Sequence, residues 1–104
     1  MRLALFCKTC RNDLAWAYFA LQSFRQNWRG SGEMVLVADL DCESEITKWD
    51  FKGLRVVYVK PWVDGYCHAM ALKLCADLFL PGAELIWLFD SDMMLVRPTG
   101  LEDI

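Results

Sequence analysis

Two aspartates one residue apart, Asp90 and Asp92, close an apolar run that reads Leu85-Ile86-Trp87-Leu88-Phe89. A strand buried on both faces can be continuously hydrophobic, but ionised carboxylates inside it are costly unless paired or bound to a metal. These acids therefore belong where the strand leaves the core, and in open α/β sheets that carboxyl edge is where ligands bind. Paired carboxylates there can hold a hard divalent cation and, through it, a phosphate. The competing account is a turn, since Asp and Ser readily form Asx-turns and caps. The chain returns at once to apolar residues, Met93 to Val96, before Arg97-Pro98-Thr99-Gly100. Asp90-Ser91-Asp92 thus reads as a polar notch rather than a loop.

Asp39-Leu40-Asp41 is a second acid pair at the end of an apolar run. Cys7-Lys8-Thr9-Cys10 has the spacing of a redox dithiol, in which a helix N-terminus lowers the pKa of the first thiol. No element precedes it and no later segment reads as a cis-proline loop, so these cysteines read as reduced thiols. His68 is the only histidine, so a zinc-hydrolase or Ser-His-Asp reading would rest on it alone; it reads as a surface or half-buried helix residue. Lys73 reads as a surface lysine with Asp77 four residues on. Neither Gly-x-Gly-x-x-Gly nor a Walker phosphate loop occurs.

These residues need elements to position them. Arg2 to Cys7 reads as a first strand, followed by a polar loop and an amphipathic helix from Leu14 to Trp28, with Asp13 as N-cap and Gly30-Ser31-Gly32 as stop. Met34–Ala38 is the second strand. Ser44 to Trp49 favours helix, and the third strand, Val56–Val59 within Leu54 to Val59, is closed by Pro61. Gly65 to Leu80 reads as one long helix ended by Pro81-Gly82, with either Ala69, Leu72, Ala76 and Leu80 or Met70, Leu74 and Leu78 facing the core. Leu85–Phe89 is the fourth strand. The alternation predicts an α/β three-layer sandwich with a mostly parallel sheet and right-handed crossovers, in a single domain over residues 1–104.

The 104 residues are 56% hydrophobic, which suits one small core and excludes disorder. No apolar run approaches the roughly 18 to 20 residues of a membrane span, and the start lacks a signal-peptide core. A net charge of −3 gives no basic field for nucleic acid. Five cysteines, an odd count without a secretion signal, argue against a disulfide framework and for a cytoplasmic location.

The stretch Trp87-Leu88-Phe89-Asp90-Ser91-Asp92-Met93-Met94-Leu95-Val96-Arg97-Pro98, with Gly65-Tyr66-Cys67-His68-Ala69-Met70-Ala71-Leu72-Lys73-Leu74 before it, resembles the nucleotide-sugar glycosyltransferases of the GT-A fold, of the D-x-D type. The resemblance implies a Rossmann-like half-domain that binds a nucleoside diphosphate sugar. A divalent ion, Mn²⁺ or Mg²⁺, would bridge the acids and the diphosphate, stabilising the leaving group as it gathers charge. On the matching positions Asp92 would ligate the metal, and Asp90 would ligate it through water or touch the ribose. Thr9 and Arg11 would line the nucleotide pocket, Asp39 would face the base, and Lys73 would approach the diphosphate or the sugar. The acceptor, a sugar, a lipid or a protein, is left open. The chain ends twelve residues after Asp92, so the resemblance is to an N-terminal donor-binding half.

Two other classes compete. A phosphatase of the haloacid dehalogenase type also ends an apolar strand in D-x-D, but on its first strand. A non-catalytic α/β module would serve as an interaction domain, self-associating through an exposed sheet edge.

Overall fold

The computed structural model describes residues 3–30 and 32–103; Arg2 and Ser31, named above at element ends, lie outside them. Four strands, β1 (Leu3–Thr9), β2 (Met34–Asp39), β3 (Leu54–Val59) and β4 (Leu85–Leu88), form one sheet in the order β3-β2-β1-β4. Every pairing is parallel: Leu5 lies opposite Met34, Leu36 opposite Val56, and Leu3 opposite Leu85. Parallel strands need crossovers, and the helices α1 (Leu14–Asn27), α2 (Glu43–Ile46), α3 (Gly65–Leu74) and α4 (Ala76–Phe79) supply them.

The strand period of two sorts the core into two layers. Leu3, Leu5 and Cys7 of β1 join Met34, Leu36 and Ala38 of β2 against Leu21 and Phe24 of α1 and Ile46 of α2. Ala4 and Phe6, with Val35 and Val37, pack on Leu72, Ala76, Phe79 and Leu80 on the opposite side. The α/β three-layer sandwich is thus the observed architecture. An aromatic cluster seats β4 on α1: Phe24 of α1 stacks on Trp28 at 5.5 Å and meets Trp87 of β4 edge-on at 6.1 Å. Phe89, fully buried, immediately precedes Asp90.

Several element ends differ from the expectation. β1 runs on through Lys8 and Thr9, which pair with Val37 and Ala38, so the polar loop begins later. α1 stops at Asn27 because Trp28 turns extended and bridges to Thr99. Asp13 stands at its N-cap without a side-chain cap hydrogen bond. The long helix after Gly65 breaks at Cys75, whose N–H is shared between the Ala71 and Leu72 carbonyls. Of its two candidate faces the one with Ala76 and Leu80 is buried, while Leu74 and Leu78 are exposed. Gly53, at φ 81°, makes the left-handed turn into β3. At Gly32 a Cβ would collide with the Leu3 carbonyl oxygen, so only glycine lets the α1–β2 connection pass so close to β1. No helix among the described residues is long and apolar enough to cross a membrane.

Candidate functional site

The alternation that builds the core also aims the charges. Ala4 and Phe6 face α3 and α4, as do Val35, Val37 and Ile86. The same phase continued to the strand ends carries Lys8 on β1, Asp39 on β2 and Asp90 just beyond β4. α3 stands over them because Asp64 caps it, its carboxylate accepting the Cys67 N–H at 3.1 Å. That bond holds the Asp64 carboxyl below its ordinary range. Successive turns of α3 then bring His68 and Lys73 down onto the strand ends.

Lys8 Nζ donates to Asp39 Oδ1 at 3.0 Å and to the Thr9 carbonyl at 2.6 Å. His68 is buried, with Nε2 3.3 Å from the same carboxylate oxygen. That approach is out of line for a hydrogen bond, and neither ring nitrogen has a partner. Lys73 Nζ donates to Asp90 Oδ1 at 2.8 Å. Beneath them burial pushes the Cys7 thiol up to about 12; the Asp90 charge adds to this, while Lys73 and Lys8 oppose it.

Two adjoining cavities open onto these groups. One, of about 350 Å³, runs between the β1 end and α3 and is lined by Thr9, Asp39 and His68. The other, of about 270 Å³, is lined by Lys73, Asp90, Ser91 and Asp92. Lys8, Asp13 and Ala69 line both, so the two form one cleft. It lies between β1 and β4, where the chain order of the sheet reverses, and open α/β sheets bind ligands at that point. A wider hollow of about 410 Å³ between α1 and α2 has an aromatic floor of Tyr18, Phe19 and Trp49. No strand-end carboxylate reaches it.

Of the residues singled out from sequence, the structure brings Thr9, Asp39, Lys73, Asp90 and Asp92 to this cleft. Arg11 lines neither cavity; it donates to the Asp41 carbonyl at 2.9 Å and pairs with Glu45 at 3.5 Å, tying the β1 and β2 loops together. Asp90-Ser91-Asp92 is a turn closed by the Met93 N–H on the Asp90 carbonyl at 3.0 Å, and Met93, Met94 and Val96 beyond it are exposed. The polar notch between apolar segments is therefore corrected to a turn leaving the sheet. His68 is fully buried rather than on the surface or half-buried, and Lys73 pairs with Asp90 rather than Asp77.

Sequence reasoning missed three cleft residues. Lys8 was legible in the β1 phase, two residues past Phe6. Asp13 was taken as a cap, but its carboxylate accepts from Cys10 Sγ at 3.7 Å and lines the cleft. His68 gave no local signal, because its burial depends on contact with the distant β1 and β2 ends.

The fit to a divalent cation is partial. Asp90 has one oxygen engaged by Lys73, Asp92 is exposed, and no set of three metal-ligating side chains converges among the described residues. An octahedral ion there would take most of its shell from phosphate and water. The donor set suits a cation arriving with a diphosphate.

No protein-family model matches the chain, and no curated protein matches it. Among solved structures the fold is similar to the crystal structure of S. aureus TarS 1-349, with a TM-score of 0.59 and 20% identity, over 88% of this chain and 28% of that one. At that identity the likeness establishes the fold. The chain spans about 28% of the length of the structure it resembles.

Proposed function

We propose that this chain is the donor-binding part of a metal-dependent glycosyltransferase, taking a nucleoside diphosphate sugar and passing the sugar to an acceptor. The observation that carries the reading is the cleft between β1 and β4, in which Asp90 and Asp92 share a cavity with the two ammonium groups Lys8 and Lys73. Acids to take a cation, with the more open ammonium group of Lys73 to take phosphate oxygens, are what a diphosphate needs. The α/β fold shared with the TarS structure is compatible with this reading.

In this scheme Asp90 and Asp92 would hold Mn²⁺ or Mg²⁺, which would neutralise charge on the leaving diphosphate. Lys73 approaches the phosphates from α3. Thr9 and Asp39 line the other half of the cleft, where the nucleoside would lie, and Lys8 fixes the Asp39 carboxylate. The five cysteines, all free, fit a reducing, cytoplasmic setting.

Calorimetric titration of UDP and GDP in the presence and absence of Mn²⁺ tests this. Binding of either nucleotide that requires the metal and weakens in Asp92→Asn is the expected result. Nucleotide binding indifferent to both metal and Asp92 would end it.

A second reading is favoured by one observation. β4 is an edge strand, and Leu85 and Leu88 on it are 42% and 44% exposed, next to an apolar hollow of about 210 Å³. An open apolar edge pairs readily with another strand, as an interaction module would. Concentration-dependent association without any nucleotide binding would favour that reading over the transferase.

A further inference from the structure

The two lysines in the cleft are held in different ways. Lys8 is clamped between Asp39 and the Thr9 carbonyl, with only 5% of its side chain exposed. Lys73 is more open, at 27%, and pairs with the single oxygen Asp90 Oδ1. Asp92, two residues on, carries no hydrogen bond or ion pair among the described residues. The first acid is therefore already neutralised by the protein's own cation, and the second is free.

We infer that Lys73 is a resident counter-ion on Asp90, which it surrenders to a divalent cation only when a diphosphate arrives to take the ammonium. This rests on the proposed donor-binding reading and adds a coupling to it. A bare cation must either displace Lys73 from Asp90 Oδ1 or bind the other oxygen beside an ammonium group, so it binds poorly. A diphosphate supplies oxygens that accept from Lys73 Nζ, freeing Asp90 for the cation. Each ligand then improves the affinity of the other by the same factor, as linkage requires. Lys73 can make the exchange because it lies on α3 and Asp90 on the turn after β4, so only side-chain rotation is needed. Lys8, fixed by two partners, stays with Asp39.

The test is Mn²⁺ binding followed by electron paramagnetic resonance on the intact chain, with Mn²⁺ alone and with added pyrophosphate. Lys73→Met should bind Mn²⁺ alone about five-fold more tightly than wild type, the factor that a partly exposed ion pair of about 1 kcal/mol represents. Pyrophosphate should enhance Mn²⁺ affinity strongly in wild type and much less in Lys73→Met. Lys73→Arg, which keeps a cation on Asp90, should stay weak for Mn²⁺ alone, and Lys48→Met, in the hollow between α1 and α2, should behave as wild type. Mn²⁺ affinity unchanged in Lys73→Met, or undetectable in every variant, would overturn the inference. Wild type that binds Mn²⁺ and pyrophosphate but no nucleotide would overturn the donor reading and leave the Lys73 exchange standing, so the two failures are distinguishable.

Discussion

Lys8 Nζ and Asp39 Oδ1 meet at 3.0 Å across the carboxyl ends of β1 and β2, with the lysine side chain 5% and the aspartate 16% exposed. Little water reaches this pair, so removing one partner strands the other's charge in a poor solvent. Asp39→Asn and Lys8→Met should each destabilise the fold by about 2 to 3 kcal/mol, below the full cost for deeply buried pairs because the cleft admits some solvent. The double variant should recover part of the loss. Urea unfolding of the four proteins checks this, and additive losses would show that the pair is not coupled.

Asp92 behaves in the opposite way. It is exposed and has no pairing partner among the described residues, so Asp92→Asn should unfold at the wild-type urea midpoint while weakening metal-dependent nucleotide binding more than Asp39→Asn does, since it removes a proposed direct ligand. Equal losses of binding in the two variants would contradict this.

Burial of Cys7 and Cys42 sets a limit at high pH. Their thiols are pushed from 9.0 up to about 12 and about 11, mainly by desolvation, so between these values the folded chain keeps protons that the unfolded chain releases. The stability they contribute is full below pH 9 and is lost as the pH rises toward 11 to 12. Cys7→Ala should flatten part of that alkaline decline in urea midpoints. Iodoacetamide at pH 8 should modify exposed Cys75 well before either buried thiol. Rapid labelling of Cys7 in the folded protein, or insulin reduction that vanishes in Cys7→Ser, would show a working dithiol instead.

Asp64 acts at the acid end. Its carboxyl is held low by the Cys67 N–H, so the cap it gives α3 is present above the ordinary Asp range and is lost as the pH falls through its lowered value. Asp64→Ala should speed amide exchange at Cys67 and His68 at neutral pH, and the difference from wild type should shrink on acidification. A difference independent of pH would mean that the carboxylate is not the cap.

The parallel sheet was readable because β-branched and aliphatic runs alternate with helical periods, and four such runs became the four strands. The placement of Asp39 and Asp90 at one edge followed from that order alone. The remainder depended on distant partners. Nothing near Trp28 announces that it will leave α1 to pair with Thr99, and no glycine or proline marks the break at Cys75, which comes from one N–H shared between two carbonyls. Lys8 was lost to a polarity rule: a charged residue was read as loop, though its stem continues the strand and only its ammonium needs the edge. His68 looked like a surface or half-buried residue because helical pattern cannot report what a strand from another part of the chain places above it.

The segment after the acids has a mechanical consequence. Upstream, the Phe89 N–H is held by the Phe6 carbonyl at 2.8 Å; downstream, the Leu95 N–H is held by Ser23 Oγ at 3.0 Å and its carbonyl by Asn27 Nδ2 at 2.8 Å. The Asp90–Asp92 turn is thus slung between two moorings, one on the sheet and one on α1, with Met93 and Met94 as the slack. Ser23 and Asn27 line neither cavity of the cleft, yet cutting the α1 mooring would lengthen the free span of the acids and let them wander.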